Sequence, residues 1–216
     1  MPRLEIHRLG LVPYEPTFAD MKALTAMRGP ETPDQLWLLQ HPPVYTLGLA
    51  GKPEHLLEAS EVPLVKIDRG GQITYHGPGQ AVIYLLIDLA RRKLMVRQMV
   101  NLMEQAVIDM LAGLGIAAER REGAPGVYVG EAKIAALGIK ITRGCSYHGL
   151  ALNVDMDLAP FSRINPCGYE GLACTQLADL GIALSVDEAH SLLAAQLEKL
   201  LEERFPLTIE AAGFSN

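Results

Sequence analysis

Apolar residues along this chain recur with two periods, and the switch from one to the other marks out its elements. Over 96–114, Met99, Val100, Met103, Val107, Met110, Leu111 and Leu114 fall at three- and four-residue spacing, which predicts an amphipathic helix. Phe18, Met21, Leu24 and Thr25 share one side of a second helix over 14–28. A third begins at Ser185, which stands three residues before Glu188 as in a capping box, and continues through Leu192, Leu193, Leu197, Leu200 and Leu201 to about residue 204. Strand patterns occupy 4–9, 35–39, 44–47, 64–67, 72–75, 81–87, 126–129, 133–141 and 145–154. The 81–87 run is continuously apolar, so burial on both faces is expected. Gly130-Glu131 and Arg143-Gly144 sit where hairpin turns are needed. Strands joined mostly by hairpins, with a few long helices, predict an α+β arrangement rather than a doubly wound sheet.

Neither a repeat, a low-complexity tract nor a polar linker divides the 216 residues, so one domain over 1–216 is expected. At 49% hydrophobic and 20% charged, the chain has ample material for a packed core. A net charge of −6 argues against bulk binding to nucleic acid. The longest apolar run is far below the ~20 residues of a membrane helix, and the first residues lack the apolar stretch of a secretory signal. Cys145, Cys167 and Cys174 are an odd number without CxxC spacing, a poor disulfide framework and a poor zinc site, but suited to a reducing cytosol. A cytoplasmic protein without a metal site is expected.

The densest unusual stretch is Arg69-Gly70-Gly71-Gln72-Ile73-Thr74-Tyr75-His76-Gly77-Pro78-Gly79-Gln80. Its glycines allow close backbone approach to a ligand, or simply make tight turns. Neither a dinucleotide fingerprint nor a P-loop is completed: the third glycine is absent after Gly79, and Gly51-Lys52 is followed by proline. Cys167 lies between Pro166 and Gly168 in a loop-like setting, where a thiol can be exposed and nucleophilic. Cys145 and Cys174 read as packing residues. Lys133 opens a strand in alternation with Ala135, Leu137 and Ile139. It either snorkels from the strand end or is a partly buried amine able to act as a base. His76 and His148 are reserve bases. Gly144-Cys145-Ser146-Tyr147-His148-Gly149 is one residue too long for a nucleophile elbow, which rejects a serine hydrolase.

Taken in order, 69–80, Ala124 to Val129, Lys133 to Gly138, His148 to Asn153 and Ile164 to Gly168 resemble the lipoyl(octanoyl) transferase family. The resemblance implies a mixed-sheet α/β sandwich with flanking helices, like the catalytic domains of lipoate and biotin protein ligases. It implies Cys167 as nucleophile and Lys133 as its partner. Arg69 to His76, then Ala136, Leu137 and Gly138, and finally Gly149, Leu150 and Ala151 are implied to line an acyl pocket. It further implies octanoyl-acyl carrier protein as donor, with lipoyl domains of 2-oxoacid dehydrogenase complexes and glycine cleavage H protein as acceptors. No ATP or metal is implied, and a monomer is expected. An ATP-dependent lipoate ligase of the same fold and a non-catalytic acyl-binding module are the alternatives. Because the chain is acidic, docking of an acidic carrier calls for a local basic surface. Arg91-Arg92-Lys93 with Arg97 are the first candidates, followed by Arg120-Arg121 and by Lys140 with Arg143.

Overall fold

The computed structural model describes residues 4–58, 60–165 and 172–207. In chain order the elements are β1 (Glu5–Leu11), α1 (Tyr14–Met27), β2 (Gln35–Gln40), β3 (Val44–Leu47), β4 (Leu64–Lys66), β5 (Ile73–His76), β6 (Gln80–Leu86), α2 (Val96–Gly113), β7 (Val127–Val129), β8 (Ala132–Thr142), β9 (Cys145–Asn153) and α3 (Val186–Arg204). Each strand and long helix expected from the pattern is present, with ends displaced by one or two residues. The short 3-10 turns at Pro53–His55, Ala159–Arg163 and Ala178–Leu180 carry no hydrophobic period and were invisible to it. At the start of α3, Ser185 Oγ accepts from the Glu188 N–H while the Glu188 carboxylate accepts from the Ser185 N–H, closing the expected capping box.

Two mixed sheets result. The larger has the order β1-β2-β6-β9-β8-β7, the smaller β4-β3-β5. Strands β1 and β2 are parallel, as are β3 and β4, and the other pairs are antiparallel. All seven residues of β6 are buried, because β6 sits mid-sheet with helices on both sides. On one face, Ala81, Ile83, Leu85, Leu150 and Leu152 pack against Met99, Met103 and Met110 of α2 and Leu193 and Leu197 of α3. On the other, Val82, Tyr84, Tyr147 and Ala151 meet Met21 of α1. Tyr45, Ile73, Tyr75, Phe161 and Ile164 form a separate core beneath the small sheet.

The Arg91–Arg92 docking surface is corrected by this fold. Asp34, fully buried, accepts from Arg28 at 2.8 Å, Arg91 at 2.9 Å and Arg92 at 2.7 Å. Arg92 also donates to the Phe205 carbonyl and pairs with Glu202, tying the 88–94 loop to the end of α3. A carboxylate buried without partners is strongly unfavourable, so these guanidiniums are structural counter-charges rather than a solvated face. Arg120 and Arg121 are likewise paired, with Glu104 and with Glu119 and Glu131.

Candidate active site

Between the two sheets lies a cavity of about 330 Å³. Its walls come from the 69–74 segment and His76 on one side, and from Ala136 to Ile139 and His148 to Ala151 on the other, with Lys133 and Cys174 among the lining residues. Small residues on β8 and β9 leave the space open. An added Cβ on Gly138 would stand 2.9 Å from the Gly70 carbonyl, so only glycine lets the 69–71 turn close over this strand edge. That closure is fixed by the Gly70 N–H donating to Ile139 O at 3.1 Å. Arg69 is buried and directed inward, donating to Thr46 O and Thr46 Oγ1, both at 2.9 Å, and to Gly70 O. Gln72 lines the cavity with its Oε1 buried and unbonded among the described residues.

Nearly all of the expected pocket residues therefore meet at one place. Tyr75 does not. It is not among the lining residues, and its ring packs in the small-sheet core, edge-on to Phe161 at 5.6 Å. Cys167 lies outside the described residues.

Lys133 shows how the chain overrides simple alternation. Across β7 and β8, Tyr128 faces Lys133 while Val127 faces Ala135, so Ile134 is the extra residue of a bulge. Ile134 and Ala135 both pack into the core beneath α2 and α3. The bulge therefore takes Lys133 out of alternation with Ala135, and the lysine lines the cavity together with Ala136, Leu137, Gly138 and Ile139. It is 5% exposed, with Nζ donating to Pro125 O at 3.1 Å and standing 5.2 Å from the Tyr128 ring. The side chain is buried rather than reaching from the strand end to solvent. Cys174 pairs with Lys133 in an isolated parallel bridge and lines the same cavity, a position its apolar setting in the sequence did not disclose.

Sequence reasoning also missed Tyr14, Tyr84, Asn153 and Pro125, all in the lining. A hydroxyl within the otherwise apolar 81–87 run was the available signal for Tyr84. Its phenol donates to His41 Nε2 at 2.7 Å, because His41 Nδ1 is committed to Val12 O at 2.7 Å. Burial holds His41 down at about 4 and His76 at about 3. His76 gives its Nδ1 hydrogen to Gln80 Oε1 at 2.8 Å. Neutral and so depressed, it is a weak proton acceptor near pH 7. Burial likewise lowers His148, whose ring is bound to Asp68 at 3.1 Å. Burial acts to raise the Asp68 carboxyl, but hydrogen bonds from His148 and Tyr147 outweigh it and hold it at about 2. His148 adopts a left-handed backbone, φ 62°, unusual outside glycine. The Asp68 bond and stacking on Phe18 at 5.2 Å keep it there.

Ser146, in the rejected elbow, is fully buried and already engaged, donating to Leu85 O at 2.7 Å. Cys145 is buried in β9, where desolvation raises its thiol. Among the described residues no group of three or more His, Cys, Asp or Glu is placed to hold a metal ion, and no helix is long and apolar enough to cross a membrane.

Comparison with known proteins identifies the set. Solved structures share the fold: the bi-partite lipoate protein ligase of Thermoplasma acidophilum superposes with a TM-score of 0.73 at 19% identity, covering 93% of this chain and 84% of that one. A biotin protein ligase from Aquifex aeolicus, in complex with biotin and ATP, gives 0.57 at 11% identity, covering 94% and 72%. Residues 13–198 match the family described as lipoyl protein ligase A/B catalytic domain. The octanoyltransferase of Aromatoleum aromaticum is 63% identical over 205 residues, 95% of this chain and 89% of that protein. That of Dechloromonas aromatica is 62% identical over 199 residues, 92% and 97% of the respective chains. The cavity, its glycine-built rim and the buried lysine thus belong to a chain that is a member of the octanoyltransferase family.

Proposed function

We propose that this chain transfers octanoyl through a thioester on Cys167, with Lys133 as the paired base. Octanoyl transfer in lipoate biosynthesis is the activity of its family, shared with relatives 57–63% identical to it. The donor in this reading is octanoyl-acyl carrier protein. The acceptors are the lipoyl-bearing lysines of 2-oxoacid dehydrogenase subunits and of glycine cleavage H protein. The observation that carries the reading is the buried Lys133 amine in the wall of a largely apolar cavity.

Lys133 takes the Cys167 thiol proton, the thiolate attacks the carbonyl carbon of the donor thioester, the carbon–sulfur bond to the carrier breaks, and the carrier sulfur leaves as a thiol with that proton, which returns Lys133 to its neutral form. Acyl-enzyme and donor are both thioesters, so the step is nearly balanced in energy. The acceptor amine then attacks the same carbon, Cys167 departs as thiolate, and neutral Lys133 takes the amine's proton. A thioester is already activated, so the route needs neither ATP nor a metal. Burying the seven saturated carbons of the octanoyl tail contributes about 6 kcal/mol at ~0.8 kcal/mol each.

For carrier docking, Lys93 and Arg97 replace the arginines committed to Asp34. Both are exposed and flank Met95 and Val96, which are 69% and 49% exposed. Val96 also lines the cavity, so this surface adjoins its opening. The test is a reaction containing enzyme, octanoyl carrier and an acceptor domain, without nucleotide, followed by intact mass. The acceptor is expected to gain one octanoyl group; a gain only when ATP and free octanoate are supplied would restore the ligase reading.

A further inference from the structure

The carbonyl that holds Lys133 is itself held. Lys133 Nζ donates to Pro125 O at 3.1 Å, and the N–H of Gly126 donates to Glu104 Oε1 at 3.1 Å. These two groups are opposite ends of one trans peptide unit, so they share a plane, point in opposite directions and cannot turn independently. Glu104 therefore sets the direction from which the carbonyl meets the amine. Gly126 makes the close fit possible: at φ 143°, an added Cβ would stand 2.8 Å from Lys133 Cε and 2.9 Å from Ala135 O.

Nothing in the packing of α2 calls for a carboxylate here. Glu104 is 6% exposed among Leu102, Met103, Ala106 and Val107, where burying a charge is unfavourable unless it is paired and hydrogen-bonded. Its second oxygen accepts from Arg120 Nε at 3.0 Å. Arg120 is fixed in turn, donating to Asn101 O at 3.0 Å and Gln105 Oε1 at 2.9 Å. The carboxylate is thus compensated and immobilised, with its other oxygen committed to the peptide that faces Lys133.

We propose that Glu104 is a positioning residue for Lys133, acting through the Pro125–Gly126 peptide; this rests on Lys133 being the base of the transfer. Besides aiming the carbonyl, a carboxylate drawing on the N–H polarises the whole peptide and strengthens its hold on the protonated amine. Among the described residues, charged or titratable groups near Lys133 include Tyr128, whose ring also carries Arg121 at 4.6 Å, and Cys174 across the bridge. Arg120 stands behind Glu104.

The experiment compares Glu104→Gln, which keeps an acceptor for Gly126 but removes the charge, with Glu104→Ala, which removes both. Full-length enzyme is assayed for octanoyl transfer across pH, with melting temperature measured in parallel. Glu104→Ala is expected to lose about tenfold or more in turnover, since small misplacements of a catalytic group are costly, with little change in KM. Glu104→Gln is expected to recover most of that loss at its optimum. The acidic limb of its profile, where the base must shed its proton, should move to lower pH, because protonated Lys133 is held less firmly. A Glu104→Gln profile superimposable on wild type, or losses in both variants that only follow the folded fraction, would overturn the proposal. Full activity in Lys133→Ala would instead remove the base assignment on which it rests.

Discussion

The two faces of the large sheet are made by the same strands, yet one is filled and the other is partly hollow. Toward α2 and α3, the β6 and β9 side chains are Ala81, Ile83, Leu85, Leu150 and Leu152, interlocked with methionines and leucines. Opposite them, Ala136, Gly138 and Ala151 are too small to fill the gap beneath the 69–76 segment. Aromatic and histidine rings close what remains, with Tyr84, His76 and His148 hydrogen-bonded to His41, Gln80 and Asp68. The filled face stabilises the chain, while the hollow face gives up some packing to hold a ligand, as sites do on otherwise consistent folds. Charge follows the same division. At Asp34 three arginines surround one carboxylate, whereas the Lys133 amine, held by Pro125 O, stands in the cavity wall.

The largest expected effect separates the amine from its charge. Lys133→Arg keeps a cation but replaces the amine proposed as base with a guanidinium that stays protonated, so turnover is expected to fall by about a hundredfold or more. Steady-state octanoyl transfer measures it, and near-normal turnover would mean that the lysine supplies charge alone. Next, a pair of substitutions contrasts the faces. Leu85→Ala should cost about 2–5 kcal/mol in denaturant unfolding while the folded fraction still transfers octanoyl. Ala151→Leu, placed in the hollow, should cost less stability and abolish most acyl loading; the reverse pattern would merge the two faces into one packing problem.

A pH-dependent effect on stability comes from His41 and His76, held at about 4 and about 3 by burial. Unfolded histidines take protons near pH 6.5, which the folded chain refuses, so these residues favour folding above about 6.5. That contribution is lost as pH falls toward 4 and then 3. Urea midpoints should decline over this window, and less steeply in His76→Gln; an unchanged slope would count against the buried neutral ring. The smallest effect belongs to the surface. Neutralising Lys93 and Arg97 should raise KM for carrier-borne octanoate several-fold and leave a small octanoyl thioester unaffected, with added salt doing the same. Equal loss with both donors would point to damage in the pocket.

How much of this was legible depended on whether a feature was local. Periodicity located the helices and the doubly buried β6, and the Ser185–Glu188 spacing marked a helix start, because each is decided within a few residues. The glycine-rich 69–76 block could be recognised as a site, but Tyr75 could not be separated from it without knowing which side of β5 faces the second sheet. Lys133 was misplaced relative to its strand because the bulge at Ile134 depends on pairing with β7. The run Arg91-Arg92-Lys93 reads as a basic surface until Asp34, 57 residues earlier than Arg91, is brought beneath it. Tyr14 and Asn153 gave no signal alone, since their role exists only where α1 and β9 meet the cavity.

The central claim is that the acyl group rests on Cys167 during transfer. Enzyme mixed with octanoyl carrier and no acceptor should gain one octanoyl mass by intact-protein mass spectrometry, and hydroxylamine should remove it. Cys167→Ala should gain none, whereas Cys174→Ala and Cys145→Ala should load as wild type does. An adduct that persists in Cys167→Ala but vanishes in Cys174→Ala, the cysteine bridged to Lys133, would contradict the account.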